Sequence, residues 1–180
     1  MKKYFKAFIK EIVPIVFGIL IALYINNWNE NRKDNRYINQ ISTSIDKELT
    51  ETNKEIMDNI KVQKSFLDTL NLYLENDKIS LLDITLKAGG IDIPTIKINS
   101  WKAISNSKIE LMEYNKVSTL ANIEEQKEIL KMKTEKLADF LYSNTKETGK
   151  EKKEFMKLMM LDIIHTEIPL QGEIETILKE

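Results

Sequence analysis

The chain has 180 residues, of which 31% are charged and 42% are apolar, and this length and composition fit one folded domain beside a short anchor. The absence of cysteine excludes disulfides, iron–sulfur clusters, cysteine zinc sites and thiol nucleophiles. The net charge of the chain is −1, and residues 1–25 contain four lysines and one glutamate, so residues 26–180 have a net charge of about −4. This part of the chain has no excess of basic residues to bind phosphates, and we expect no nucleic-acid partner.

Residues 12–25 form an uncharged run near the N-terminus. A helix of this length rises about 21 Å, which is less than the roughly 30 Å of a bilayer core. The mostly apolar residues 4–9 extend the run, and Lys6 and Lys10 can place their ammonium groups among the headgroups. We therefore predict a single uncleaved membrane span within residues 1–28, with Pro14 in its first half as a tolerated kink.

Aromatic and small residues add detail to this predicted span. Tyr4, Tyr24 and Trp28 are placed to anchor the two membrane interfaces. Gly18 and Ala22 lie four residues apart, a spacing that lets two membrane helices approach closely, so we expect self-association through this pair.

Three other interpretations of the apolar run compete with a membrane span. A cleaved signal peptide has this charge pattern, but residues 23–27 offer no small-residue cleavage site. A buried core helix of a soluble protein has a similar length. An interfacial helix requires a polar face, which residues 12–25 do not have.

The basic residues on either side of the run predict its orientation. Four lysines precede it, at positions 2, 3, 6 and 10, and Arg32, Lys33 and Arg36 follow it. The positive-inside rule then favours a cytoplasmic N-terminus and a body outside the cytoplasm, at the bacterial inner membrane.

The run and its continuation, G-I-L-I-A-L-Y-I-N-N-W-N-E-N-R-K at residues 18–33, resemble the signature of a family of small bacterial membrane proteins classed as a domain of unknown function. A weaker similarity covers residues 100–112, where Ser107 stands at a position that is Gly in many relatives. The resemblance implies an N-terminal helical anchor followed by a helical domain. It implies no activity and no functional residues.

The stretch from Trp28 to about Glu75 predicts a long amphipathic helix, since it contains no Gly or Pro and its apolar residues recur at helical spacing. These residues are Ile38, Ile41, Ile45, Leu49, Ile56, Ile60, Leu67, Leu70 and Leu74. The helix is either continuous with the anchor or broken among the five asparagines of residues 26–35. Polar gaps at Thr52 and Gln63 favour one helix of a bundle over a long coiled coil.

Residues 77–100 form an irregular crossover, with a turn at Gly89 and Gly90 and a helix stop at Pro94. A loop or a short hairpin fits its partly alternating isoleucines, and we favour the loop because an isolated hairpin is marginal. Asn99 or Ser100 is expected to cap a short helix that contains Trp101.

Two further long helices complete the expected all-α fold. One, capped by Asn115 or Ser118, runs to about Asn144. The other covers residues 151–166 and ends at Pro169 and Gly172. Its predicted seam residues are Phe155, Leu158, Met159, Leu161, Asp162 and Ile163. The domains are then an anchor at 1–28, a helical bundle at 29–168 and a tail at 169–180 that frays.

No residue set predicts catalysis, a metal site or a cofactor, because no known catalytic or phosphate-binding motif occurs. His165 with Asp162 and Glu167 is a poor zinc set, and we expect a surface or capping histidine. The acid pairs Glu51/Glu55 and Glu124/Glu125 are expected on solvated faces. Trp101 and the cluster of Met156, Met159 and Met160 are expected in the core rather than at a binding surface.

The sequence thus favours a non-enzymatic, single-span protein that holds an envelope partner, or its own copies, at the membrane. One alternative is a periplasmic ligand-sensing bundle, which would need a separate signalling partner because few residues precede the span. A second is a membrane-perturbing oligomeric effector.

Overall fold

A computed structural model describes residues 2–179 of the chain, and the side chains of residues 8 and 10–179. Its α-helices are α1 (Lys2–Leu72), α2 (Leu81–Lys87), α3 (Asn99–Ser105), α4 (Tyr114–Ser143) and α5 (Lys150–Ile177), with a 3-10 turn at Ile109–Leu111. The described residues contain no strand, so the predicted all-α class, with three main helices and two short ones, is confirmed.

Helix α1 continues through the asparagine-rich stretch without a break, and Pro14 lies inside it. No Gly or Pro interrupts residues 19–88, so nothing in the backbone chemistry stops the helix there. By contacts the chain divides into two compact units, Met1–Ser42 and Thr43–Glu180. The second unit is called the body below.

The core of the body lies between α1, α4 and α5. The fully buried apolar residues of these helices are Ile45, Leu49, Ile56, Phe66 and Leu70 on α1, Leu120, Ile123, Leu130 and Leu137 on α4, and Met156, Met160, Ile163, Leu170 and Ile174 on α5. Contacts between residues distant in sequence set the helix directions: Lys116 reaches Asp46, whereas Lys133 reaches Asp162 and Lys157 reaches Asn71. Helix α5 therefore runs antiparallel to both α1 and α4, and the crossover allows α1 and α4 to run parallel.

The crossover is a loop between two short helices, and the hairpin alternative is wrong because residues 89–98 form no strand. Helix α2 begins with a capping box in which Ser80 and Asp83 satisfy each other's backbone N–H groups. Gly89 and Gly90 both have positive φ values, 86° and 103°, which glycine adopts without strain. Pro94, Ile96 and Ile98 are buried.

The predicted end of α5 is wrong. Helix α5 continues through Pro169 and Gly172 to Ile177. A proline inside a helix costs about 3 kcal/mol. Leu170, Ile174 and Ile177 are nevertheless buried at helical spacing beyond it, and each contributes roughly 1.5–3 kcal/mol. Their burial outweighs the cost of Pro169 and keeps this segment in the core.

The predicted seam of α5 is also shifted. Phe155 and Leu158 are exposed and Met159 is half-buried, whereas Met156, Met160 and Ile163 are fully buried. The buried face includes Lys153 and Glu167, two charged residue types that conceal the apolar periodicity. The methionines at 156 and 160 are core residues, as expected.

Predicted side-chain caps are wrong for two helices. Helix α4 begins at Tyr114 with Glu113 at its N-cap, and neither Asn115 nor Ser118 caps it. Helix α3 has Ile98 at its N-cap and receives no capping hydrogen bond from its own residues. A side chain of α1 takes over that role, as described below.

Candidate functional site

The first candidate functional region is the apolar part of α1. The eleven large apolar residues between Ile12 and Ile25 are between 39% and 73% exposed. Within the described residues, α1 is the one helix that is long and apolar enough to cross a membrane by length and composition, and none of the apolar window is buried against the rest of the chain. Soluble proteins rarely expose so large a continuous apolar surface, so this surface requires a cover.

Two of the predicted interface anchors lie at the C-terminal end of this segment. Tyr24 and Trp28 are both exposed, at 73% and 59%. The guanidinium carbon of Arg32 lies 5.9 Å from the centroid of a Trp28 ring, and Arg36 Nε donates a hydrogen bond to the Arg32 carbonyl oxygen. Trp28 thus has a cationic neighbour on its C-terminal side. The side chain of Tyr4 lies outside the described part of the chain.

Gly18 and Ala22 are exposed one helical turn apart on α1. A Cβ atom placed on Gly18 meets no other atom within 4 Å. The exposed pair therefore has room beside Gly18 for a second helix. Its predicted contact with a second copy of the chain stays a prediction.

The second candidate region is a set of side chains on α1 that holds the crossover. The Glu55 carboxylate accepts from the Thr95 backbone N–H at 2.8 Å, and the Thr52 hydroxyl accepts from the Lys97 N–H at 3.0 Å. One turn earlier, the Glu48 carboxylate accepts from both the N–H and the hydroxyl of Ser100. An extended backbone thereby finds partners without pairing as a strand.

These bonds also supply the cap that α3 lacks. Glu48 binds the N–H of Ser100 in the first turn of α3, where helical N–H groups have no partner within their own helix. Beside it, Glu51 forms an exposed ion pair with Lys97, and the hydrogen bond and charge of Lys97 lower the pKa of Glu51. The prediction of a solvated face holds for Glu51, whereas Glu55 is half-buried and its carboxylate binds the backbone of the crossover.

The third candidate region is a buried polar pair between α1 and α5. Gln63 and Glu167 are both fully buried. The Gln63 amide nitrogen donates to Glu167 Oε1 at 2.9 Å and to the Asp92 carbonyl oxygen at 3.1 Å. Burial raises the pKa of Glu167 to about 7, and the hydrogen bond from Gln63 lowers it in part. Sequence reasoning placed Gln63 as a gap in the stripe and Glu167 beside His165, and so missed this pair.

Two other residues singled out from the sequence, His165 and Trp101, lie where they were expected. His165 is exposed, as expected, while Asp162 accepts a hydrogen bond from Lys133. Trp101 is buried, also as expected, and its indole N–H donates to Glu124 at 2.7 Å. Glu124 is half-buried, and its other carboxylate oxygen lies 3.7 Å from the ammonium nitrogen of Lys102. Among the described residues, no group of three or more acidic or histidine side chains has a metal-binding arrangement.

An apolar groove of about 250 Å³ lies between the crossover and α4. Thr85, Ile91, Ile93, Thr134, Leu137, Ala138, Leu141 and Tyr142 line it. Its lining contains no carboxylate, histidine or lysine, and its chemistry suits an apolar group rather than a charged one.

Residues 11–87 match the model of a family of unknown function, DUF6090. The match includes the N-terminal signature at residues 18–33 and agrees with the resemblance inferred from it. It ends before residues 100–112, so the weaker similarity there stays a prediction. No curated protein and no solved structure matches the chain.

Proposed function

We propose that this protein is a single-span membrane protein whose helical body acts as a non-catalytic interaction module at the membrane. The observation that carries the proposal is the uncovered apolar surface of α1 between Ile12 and Ile25. A bilayer covers such a surface on all sides, whereas a soluble partner would have to surround the helix. Tyr24 and Trp28, at the C-terminal end of the segment, suit the headgroup region at which such a span ends.

The body's carboxylates support a structural rather than a catalytic use. Glu48 and Glu55 hold the crossover through its backbone, and Glu124 accepts from Trp101. Each of these groups fixes the position of another element. A rigid helical body attached to a membrane is suited to presenting a surface to a partner.

The proposed location is the bacterial inner membrane, with the N-terminus in the cytoplasm and the body outside it, in the periplasm where the host has two membranes. The lysines at positions 2, 3, 6 and 10 support this orientation. The proposed partner is an envelope protein or a second copy of the chain bound through Gly18 and Ala22.

Membrane extraction of two matched variants tests the span. Leu20 and Leu72 are both exposed leucines of α1, one within the apolar segment and the other at the end of the helix. An arginine at the centre of a span costs about 3 kcal/mol, and the predicted span is short. We expect the unmodified full-length chain and the Leu72→Arg variant to stay in the membrane pellet after an alkaline carbonate wash, and the Leu20→Arg variant to be largely released.

Two outcomes would contradict the proposal. Release of the unmodified chain by carbonate would show a peripheral protein. Retention of Leu20→Arg to the same extent as Leu72→Arg would show that residues 12–25 do not hold the chain in the membrane.

A further inference from the structure

The buried pair of Gln63 and Glu167 leaves one oxygen atom unsatisfied on each side chain. Both N–H hydrogens of the Gln63 amide are used, because its nitrogen donates to Glu167 Oε1 and to the Asp92 carbonyl oxygen. Gln63 Oε1 and Glu167 Oε2 are buried and have no hydrogen-bond partner among the described residues. An ionised carboxylate has only acceptors, so it cannot satisfy the amide oxygen beside it.

A proton on Glu167 Oε2 would resolve both deficits, because a carboxylic acid has one O–H donor. We propose that Glu167 is uncharged in the folded protein and donates from Oε2 to Gln63 Oε1, and that loss of this proton loosens the attachment of the crossover to α1 and α5. The acid and the amide then form a closed pair with two hydrogen bonds. The inference does not depend on which side of a membrane the body occupies.

Among the described residues, no lysine, arginine or histidine forms an ion pair with Glu167. The neighbouring positions at 59, 60, 66 and 67 on α1 and at 163, 164, 170 and 171 on α5 carry uncharged residues. From the crossover, Asp92 contributes its carbonyl oxygen while its side chain is exposed. From α4, Lys133 donates to the Asp162 carboxylate and the Thr166 hydroxyl. Consistent with this, burial is the main cause of the raised pKa of Glu167.

The crossover is the element that deprotonation would release. Gln63 joins Glu167 to Asp92, and residues 88–98 around Asp92 have no regular secondary structure. An ionised Glu167 requires water or another hydrogen-bond donor. Water reaches it most readily through the irregular segment, because opening a helix would break more backbone hydrogen bonds. The proton therefore acts as a switch between a closed and an open crossover.

The pH range over which the switch acts follows from the raised pKa of Glu167. The folded-state pKa of about 7 lies above the ordinary value of 4.5, so the folded state holds its proton more tightly than the unfolded state. The stabilisation is complete below about pH 4.5 and is lost as pH rises to about 7. Between these values the unfolding equilibrium constant attributable to Glu167 rises about tenfold for each pH unit.

Urea unfolding of the full-length chain in detergent micelles, between pH 5 and pH 8, tests the proposal. Glu167→Gln keeps the side-chain length and supplies an N–H donor toward Gln63 Oε1 at every pH. We expect this variant to lose the tenfold-per-unit dependence and to be more stable than the unmodified chain at pH 8. Glu175→Gln is the matched control, because Glu175 is a half-buried glutamate on α5 that also accepts from a glutamine amide, that of Gln171 at 2.9 Å, but has no buried oxygen without a partner. We expect it to keep the unmodified pH dependence.

Two further measurements keep the proposal testable where Glu167→Gln fails to fold. The infrared carbonyl band of a protonated carboxyl group should titrate with a midpoint near pH 7 in the unmodified chain. Amide hydrogen exchange of residues 88–98, corrected for the intrinsic pH dependence, should accelerate over the same range. A carboxyl band that is absent at pH 6, crossover exchange that does not change across pH 7, or equal pH profiles for the unmodified chain and Glu167→Gln would each overturn the proposal.

Discussion

At the scale of single residues, Lys153 is a fully buried lysine at the point where α1 ends. Its ammonium group donates to the Tyr73 carbonyl oxygen at 3.0 Å and to the Asn76 carbonyl oxygen at 2.7 Å. Tyr73 directly follows the last residue of α1, where carbonyl groups lack partners within the helix and a positive charge is favoured by the helix dipole, and Asn76 lies in the turn beyond it. Lys153 of α5 thus caps the end of α1 and holds the turn that follows it.

Replacing this lysine with methionine should destabilise the body. Lys153→Met keeps most of the side-chain volume but leaves two carbonyl oxygens without their charged donor, and we expect a loss of about 2–3 kcal/mol in the free energy of unfolding. Lys136→Met, at an exposed position of α4, is the control and should change it by less than about 0.5 kcal/mol. Urea unfolding of the full-length chain measures both. Equal effects of the two variants would contradict a capping role for Lys153.

The buried polar residues are the part of the core that sequence reasoning could not assign. Thr52, Gln63, Lys153 and Glu167 are fully buried, although such residue types usually lie at the surface. Each of them binds a group far away in sequence; the partner of Lys153, for example, is about 80 residues distant. Periodicity within one helix gives no information on such partners, so Thr52 and Gln63 were interpretable only as gaps.

At the scale of elements, patterns that depend on local chemistry were predictable and those that depend on tertiary partners were not. The helix from Trp28 to about Glu75, the end of α4 near Asn144 and the Gly89–Gly90 turn follow from local residue types, whereas local residue types left open whether α1 is continuous through the asparagines. The N-terminus of α3 depends on Glu48 of α1, and the extension of α5 past Pro169 depends on the burial of Leu170 and Ile174. Both were therefore predicted wrongly.

The small-residue face of α1 gives a prediction at this scale. If Gly18 and Ala22 lie at a contact between two spans, Gly18→Leu and Ala22→Leu should each prevent the close helix approach and reduce dimer formation several-fold. Chemical crosslinking of the full-length chain in membranes measures this. Ile19→Leu, which changes shape but not size on a neighbouring exposed position, is the control. A crosslinking pattern that is the same for all four proteins would exclude this face as the contact.

At the scale of the whole molecule, one helix runs from a unit that contains the apolar segment into the body. The first unit ends at Ser42, and the body begins at Thr43, so the transition falls inside α1 rather than at a loop. The sequence predicted the exposed apolar stretch of α1, the helical body and the all-α class. It predicted a domain boundary at residue 28, where the apolar run ends, because composition changes there. Hydrogen bonds from α1 to α4 and α3 occur beyond that boundary, at Asp46 and Glu48.

Orientation is the property of the whole molecule that decides which partners are accessible. We expect a periplasm-active reporter fused after Glu180 to be active and a cytoplasm-active reporter there to be inactive. Changing the lysines at positions 2, 3, 6 and 10 to glutamine leaves Arg32, Lys33 and Arg36 as the main basic residues near the span, which should shift a large share of the chains to the opposite orientation. The same four-charge change at Lys54, Lys61, Lys64 and Lys87, all exposed and more than about 20 residues from the span, should leave the orientation unchanged. Cytoplasmic activity of the unmodified fusion would instead place the body, and any partner it holds, inside the cell.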